Sequence, residues 1–359
     1  MTTSFSRRAM LGAGAAASLG PWILPSRAAA PAVVRFGVST AGIGDPPRVA
    51  GGWLSVAQNK GYVEEALKQD NIRVEWTFFK GQGPAVNEAL SNDQLDFTTL
   101  GDLPSIIGRS VGIKTRLVLV TNARSSAYVA VRPGAAERSV KDLRGKRVAF
   151  HKGTATQLVA NRIFEQNGLT ERDFKVINLE PASTLAAFAS GDIDGIFGSL
   201  NLVTMQDKGL ARVIYDTRDN AKATSGGHIL VREAFGDAHP ALTQRVVTAL
   251  VRAAHWASLD TNRAEVIRLW ASAGSISAAT YEAEYRGIPL AHRLSPRFDP
   301  FVVASDRQAV EDAYRYKLIR RKFDVDSWID RRYADQAVKS LGLEGFWPSF
   351  DPAGNLLKA

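Results

Sequence analysis

Short apolar runs alternate with segments of helical period along most of the chain. Residues 33–38 form a compact apolar run, and residues 72–79 (IRVEWTFF) alternate apolar and polar positions as a half-buried strand does. Between them, residues 56–67 carry helical spacing that ends near Lys68. Gly81-Gln82-Gly83-Pro84 then opens a helix, with Pro84 at a first-turn position. Residues 95–97 read as a short strand, Gly101-Asp102-Leu103-Pro104 starts another helix, and residues 116–121 and 127–131 add two β runs. A further run, Val148-Ala149-Phe150, breaks at Gly153 and resumes as a helix that stops at Asn167-Gly168. Strands alternating with helices predict βαβ units and largely parallel sheets.

The pattern then repeats. ALSNDQLDFTTLGDLPS, from Ala89, aligns without gaps with AFASGDIDGIFGSLNLV, from Ala187, an offset of 187 − 89 = 98 residues. Each copy holds a helix end, a turn, an apolar residue followed by Asp (Asp96, Asp194), a strand and a new helix start. Two α/β lobes built alike account for this. The expected organisation is α/β with two doubly wound lobes joined by two crossing segments. Residues 31–132 plus 228–359 form the first lobe and 133–227 the second, with the turn at Pro133-Gly134 as the boundary. Ile229-Leu230-Val231 returns the chain to the first lobe. The remainder reads as mostly helical, including Val246, Val247, Leu250, Val251 and Ala254 at helical spacing and a run over 308–321.

Composition narrows the function class. Hydrophobic residues make up 45% and charged residues 23% of 359 residues, as in an ordinary globular protein of about two domains. The N-terminus reads as an export signal over residues 1–28. Ser6-Arg7-Arg8-Ala9-Met10-Leu11 is similar to a twin-arginine motif, with Met10 in the place usual for Phe, and an ordinary Sec signal is the alternative. A mildly apolar stretch follows to Leu24, with cleavage expected after Ala28 and Ser26 three positions before the cut. The net charge of +9 falls to +9 − 3 = +6 once Arg7, Arg8 and Arg27 are removed. The chain has no cysteine, which excludes disulfides, thiol catalysis, Cys-ligated zinc and a lipid anchor on cysteine. The expected product is a soluble periplasmic protein that meets no nucleic acid, binds no cofactor and works as a monomer.

Together these segments resemble a family: the periplasmic solute-binding proteins of ABC importers, in the aliphatic sulfonate, taurine and nitrate group. The resemblance rests on LRGKRVAFHKGTATQ, LSNDQLDFTTLGDLPS, FASGDIDGIF and the tail QAVEDAYRYKLIRRKFDVDSWID, in that family's order and spacing. It implies a two-lobed type II binding-protein fold, a solute held between the lobes, a membrane permease as partner and no catalysis. The ligand it implies is an organic anion, an alkyl or aryl sulfonate first. Many sulfonate binders carry a W-D-P-Y-like run where this chain has Phe197-Gly198-Ser199-Leu200-Asn201, and Ser225-Gly226-Gly227-His228 also departs from the common pattern. Both departures fall where ligand side groups are read.

Helix N-termini facing a cleft suit an anion, because their first amides lack partners and the helix dipole is positive there. Thr154, Ala155 and Thr156 open the helix after Phe150 and are expected to touch ligand; a plain cap at Thr154 or Thr156 is the alternative. The segment lacks the G-x-x-x-x-G-K-[ST] phosphate-loop pattern. Gln82 and Gly83 form the first-lobe counterpart, or a simple strand-to-helix turn. Gly101 and Asp102 are similar, although the Asp102 carboxylate repels an anion unless the ligand also carries an ammonium group. Trp53 could wall the cleft or fill the core, and Asn201 and His228 complete the candidate set. The five histidines (151, 228, 239, 255, 292) show no metal-site spacing, and no G-x-S-x-G elbow is present. Two rivals remain: an enzyme of thiamin-precursor or desulfurisation type on the same fold, and a binder of an uncharged or cationic heterocycle. The first would need a nucleophilic Cys or a His set, the second carboxylates and stacked aromatics.

Overall fold

The computed structural model describes Met1 and residues 30–357, except Ala273 and the side chain of Ala221. The expected export signal, apart from Met1, lies outside the described residues. In chain order the first half runs β1 (Val33–Val38), α1 (Gly52–Asn59), α2 (Tyr62–Leu67), β2 (Arg73–Phe78), α3 (Gln82–Ser91), β3 (Phe97–Gly101), α4 (Asp102–Ser110) and β4 (Thr115–Ser125). The expected helix over 56–67 is thus two helices, parted at Gly61, whose φ of 66° no helix accepts. The chain crosses and builds β5 (Tyr128–Val131), β6 (Arg147–Phe150), α5 (Ala155–Gln166), β7 (Lys175–Asn178), α6 (Pro181–Ser190), β8 (Gly195–Gly198), α7 (Asn201–Asp207) and β9 (Arg212–Asp216). It returns through β10 (Ser225–Arg232) to α8 (Glu233–Ala238), α9 (Pro240–Ser258), α10 (Arg263–Ala271), α11 (Ala278–Glu284), α12 (Pro300–Arg315), α13 (Val325–Trp328) and α14 (Arg331–Ser340).

Two five-stranded sheets result, ordered β2-β1-β3-β10-β4 and β7-β6-β8-β5-β9. In each, three parallel strands meet one antiparallel strand contributed by the crossing chain. The 98-residue repeat is visible atom by atom. Asp96 Oδ2 accepts the backbone N–H and Nε of Arg35 (3.0 Å each), and its Oδ1 accepts Nη2 at 2.7 Å. Asp194 accepts the same three donors from Arg147, at 2.9, 3.4 and 3.1 Å. Each Asp therefore ties the loop before its strand to the neighbouring strand by the same fork.

The lobe boundary differs from the expected one at residue 133. Tyr128–Val131 is a strand of the second sheet, with Val129 and Val131 in one core cluster and Tyr128 and Ala130 in the other. Pro133-Gly134 is only the turn after it, so the crossing falls between β4 and β5. The return strand likewise begins at Ser225, three residues before the expected His228. Helix α12 starts eight residues earlier than the 308–321 run suggested. Asp299 caps it by accepting the Val302 N–H at 2.9 Å, with Pro300 in the first turn, and it ends before Lys317 at φ 61°.

Candidate functional site

The N-termini of α3, α4 and α5 meet where the lobes touch. A Cβ on Gly83 would lie 2.3 Å from Pro104 Cβ and 3.3 Å from the Gly153 carbonyl across the boundary; one on Gly101 would lie 2.8 Å from Ala155 Cβ. Gln82, held at φ 53°, sets its Oε1 3.1 Å from His151 Nδ1. Burial lowers the His151 pKa, which suits a neutral ring donating from Nδ1. Thr154 is buried, and its hydroxyl donates back to the His151 carbonyl at 2.7 Å rather than capping the helix. The Gly153 N–H is satisfied instead by Gln157 Oε1 at 2.8 Å. The structure thus brings the expected helix mouths together, yet none of Gln82, Gly83, Gly101, Thr154, Ala155 or Thr156 lines the two cavities beside the crossing strands.

The smaller cavity, about 170 Å³, lies against the crossing segment. Its polar wall is made by Thr121 and Asn122 of β4, Ser125 and Ser126 at the crossing, and Ser199 before α7. Gly52, at the start of α1, adds positive potential; Arg124 and Arg293 also border the cavity, the Arg124 guanidinium lying 3.6 Å from the Phe350 ring centroid and Arg293 Nη1 donating to the Arg124 carbonyl at 2.6 Å. Burial, with Arg293 nearby and Asp299 opposing, lowers the Arg124 pKa. Tyr281 and Glu284 of α11 close the far side. Glu284 is already engaged: it accepts Ser126 Oγ at 3.0 Å and the Tyr128 hydroxyl at 2.9 Å, which pins α11 over the crossing.

The larger cavity, about 410 Å³, lies between α5 of the second lobe and β10, α4 and α12 of the first. Here Arg162 reaches across the lobes: its Nε donates to Asp312 Oδ2 at 2.8 Å and its Nη1 to the Thr224 carbonyl at 2.9 Å. Asp102 is buried; its Oδ1 accepts the Leu103 N–H at 2.7 Å and its Oδ2 the Gly226 N–H at 3.2 Å. Burial pushes this carboxyl up, against the opposing pull of Arg162, these amides and His228. His228 pairs through Nε2 with Asp306 Oδ1 at 3.1 Å and meets Trp328 edge to face. Burial alone would lower its pKa, but the charge and hydrogen bond of Asp306, with Asp102 beyond, raise it.

Trp53 has no exposed surface and donates its indole N–H to the Val120 carbonyl at 3.2 Å, a core position in the first lobe. The Asn201 side chain accepts the Ser199 N–H and hydroxyl at 3.2 and 3.0 Å, so Ser199, not Asn201, faces the small cavity. Sequence reading passed over Ser125, Ser126, Ser199, Arg162 and Asp306. Ser199 stands in a segment already flagged as a departure, whereas Ser125 and Ser126 fall between two expected β runs, ahead of the boundary expected at Pro133-Gly134. Arg162 and Asp306 sit inside amphipathic helices and carry no local signal.

Residues 52–264, more than half of the chain, match the model of the NMT1/THI5-like family. The chain belongs to that family. A solved periplasmic sulfonate-binding protein, SsuA from Methylobacillus flagellatus KT, superposes with a TM-score of 0.75 at 30% identity, covering 89% of this chain and 97% of its own. The alkanesulfonate-binding SsuA from Xanthomonas axonopodis pv. citri, bound to MOPS, gives 0.70 at 25% identity, covering 85% and 100%. In sequence, a Bacillus subtilis (strain 168) protein provisionally named aliphatic sulfonates-binding is 27% identical over 81% of this chain and 86% of its own length. The desulfurization enzyme DszB shares the fold, with a TM-score of 0.65 at 17% identity over 86% of this chain and 99% of its own. This NMT1/THI5-like chain therefore has the two-lobed α/β architecture of the SsuA proteins. Among the described residues, no helix is long and apolar enough to cross a membrane.

Proposed function

We propose that this chain is the periplasmic solute-binding component of an ABC importer and captures a small organic sulfonate between its lobes. The observation that carries the reading is the small cavity at the crossing strands. Hydroxyls of Thr121 and Ser125, the start of α1 and the residues Arg124 and Arg293 surround it; its one carboxylate, Glu284, is occupied by Ser126 and Tyr128, and the Ser199 hydroxyl already donates to Asn201. Sulfonate oxygens accept hydrogen bonds and carry a single diffuse charge, which hydroxyls and helix amides satisfy at modest desolvation cost. A volume of about 170 Å³ suits a short-chain sulfonate. The names of the relatives support the same ligand class.

Closure would bury the ligand and present the closed shape to an inner-membrane permease, with the chain acting as a monomer. The enzyme alternative lacks support in this site: the chain has no cysteine, and no histidine lines the small cavity. The test is calorimetry of the purified mature chain against ethanesulfonate, taurine, MOPS, benzenesulfonate, sulfate and nitrate. Saturable binding of at least one sulfonate, weakened by a Thr121→Val, Ser125→Ala pair by roughly 1–3 kcal/mol, is expected. Binding of none, or conversion of a sulfonate to another product, would overturn the reading.

A further inference from the structure

The larger cavity shares only Asn122 with the pocket assigned to the sulfonate, and its lining carries both signs, Asp102, Glu165, Asp306 and Asp312 against Arg162, Lys222, Arg315 and His228. Two of its four carboxylates are already paired: Glu165 accepts Arg315 at 2.9 Å, and Asp312 has several donors. Asp312 is saturated: it accepts Arg162 at 2.8 Å, Gln308 at 2.8 Å and Arg315 at 2.6 Å. Asp306 is not. It is 4% exposed, gives Oδ1 to His228, and leaves Oδ2 buried without a partner. Asn122 Oδ1 and His228 Nδ1 are likewise buried and unpartnered. Asp102 accepts one amide N–H on each oxygen and keeps further lone pairs for a third donor.

Unpartnered buried acceptors are costly, and a ligand that supplies the missing donors recovers that cost. An anion at this end would face Asp102 and Asp306 together. A primary ammonium offers three N–H donors, no acceptor and a positive charge, which matches Asp306 Oδ2, Asn122 Oδ1 and Asp102. Arg162 pulls on Asp102 by charge but makes no hydrogen bond to it, since its Nε and Nη1 are held by Asp312 and the Thr224 carbonyl. Val120, Phe301 and Val302 form an adjoining apolar wall that suits a short hydrocarbon tail. We propose that this cavity is a second binding site, for a compact primary amine whose ammonium is held by Asp306, Asn122 and Asp102. The site stands independently of the sulfonate reading.

Benzylamine, protonated at neutral pH, is the probe, with benzyl alcohol as its uncharged counterpart and ethanesulfonate reporting the other pocket. Calorimetry should show benzylamine binding the wild-type chain at least about ten-fold more tightly than benzyl alcohol. Asp306→Asn should weaken benzylamine by about ten-fold or more and leave the ethanesulfonate Kd within about two-fold. Equal affinity of the amine and the alcohol, or full benzylamine affinity in Asp306→Asn, overturns the proposal. Should that variant fail to fold, a crystal structure of the wild-type chain with benzylamine decides: the ammonium must lie on Asp306, and any other position overturns it. Failure of ethanesulfonate to bind bears on the sulfonate reading alone.

Discussion

Among the described residues Arg162 makes the most deeply buried ion pair between the lobes, and Arg162→Met removes it while Arg315 and Tyr316 still hold Glu165 of α5. The substitution keeps an apolar stem and deletes two short hydrogen bonds, to Asp312 at 2.8 Å and to the Thr224 carbonyl at 2.9 Å. Breaking a buried ion pair costs about 3–5 kcal/mol when the abandoned partner is left bare. Asp312 is not left bare, because Gln308 and Arg315 still donate to it at 2.8 and 2.6 Å. The loss should therefore fall below that range, at about 2–3 kcal/mol, the worth of one to two charge-assisted bonds. Because α5 belongs to one lobe and α12 to the other, the loss falls on the closed form. If the free protein is mainly open, closure and ligand affinity drop by the full amount, roughly 30- to 150-fold. The assay is the Kd of ethanesulfonate by calorimetry, with the radius of gyration by X-ray scattering with and without ligand. A cycle with Asp312→Asn separates the pair from the rest of the interface. A Kd within about two-fold of wild type, with unchanged scattering, would refute the latch.

Three further perturbations test the same interface. Gly101→Ala places a methyl 2.8 Å from Ala155 across the lobes, at a φ of −67° that alanine accepts. It should cost about 1–3 kcal/mol of closure while a scattering profile of the open form is kept; unaltered ligand affinity would contradict it. Thr154→Val deletes the bond to the His151 carbonyl. It should lower stability by about 1 kcal/mol in urea titration, and a larger effect on sulfonate Kd than on stability would return Thr154 to the ligand. The raised His228 pKa makes a pH prediction. A histidine whose native pKa exceeds its unfolded value stabilises fully below the unfolded pKa, and that stabilisation is lost as pH rises through the native one. The difference in Tm between wild type and His228→Gln should thus be largest near about pH 6 and shrink toward about pH 9; a constant or widening gap refutes the assignment.

Much of the architecture was legible because it is written locally and twice. Asp96 and Asp194 occupy equivalent turns and bind equivalent arginines, so the 98-residue offset captured a real duplication. Strand and helix alternation gave the two α/β lobes, and Asn167-Gly168 ended α5 as expected. The boundary was misplaced because an apolar run such as Tyr128–Val131 fits either sheet. Only the pairing of β5 with β8 and β9 decides it.

The site was less legible, for a reason that lies in the energetics of buried charge. Arg162 and Asp312 are separated by 150 residues and His228 and Asp306 by 78, and each looks like an ordinary polar position on its own helix or strand. Burying any one of them alone would be prohibitive; they are tolerable only as partners, Arg162 with Asp312 across the lobes and His228 with Asp306 between β10 and α12 of the first lobe. Helix starts, by contrast, advertise themselves in sequence whether or not space is left in front of them. At Gly83, Gly101 and Ala155 the contacts leave none, and the glycines serve the close approach of the lobes themselves. The polar walls then shift to the crossing strands, where Asn122 is shared by a hydroxyl-lined pocket and one lined by both carboxylates and cations. Because that strand carries the joint between lobes, filling either cavity changes what closure must desolvate on its own side.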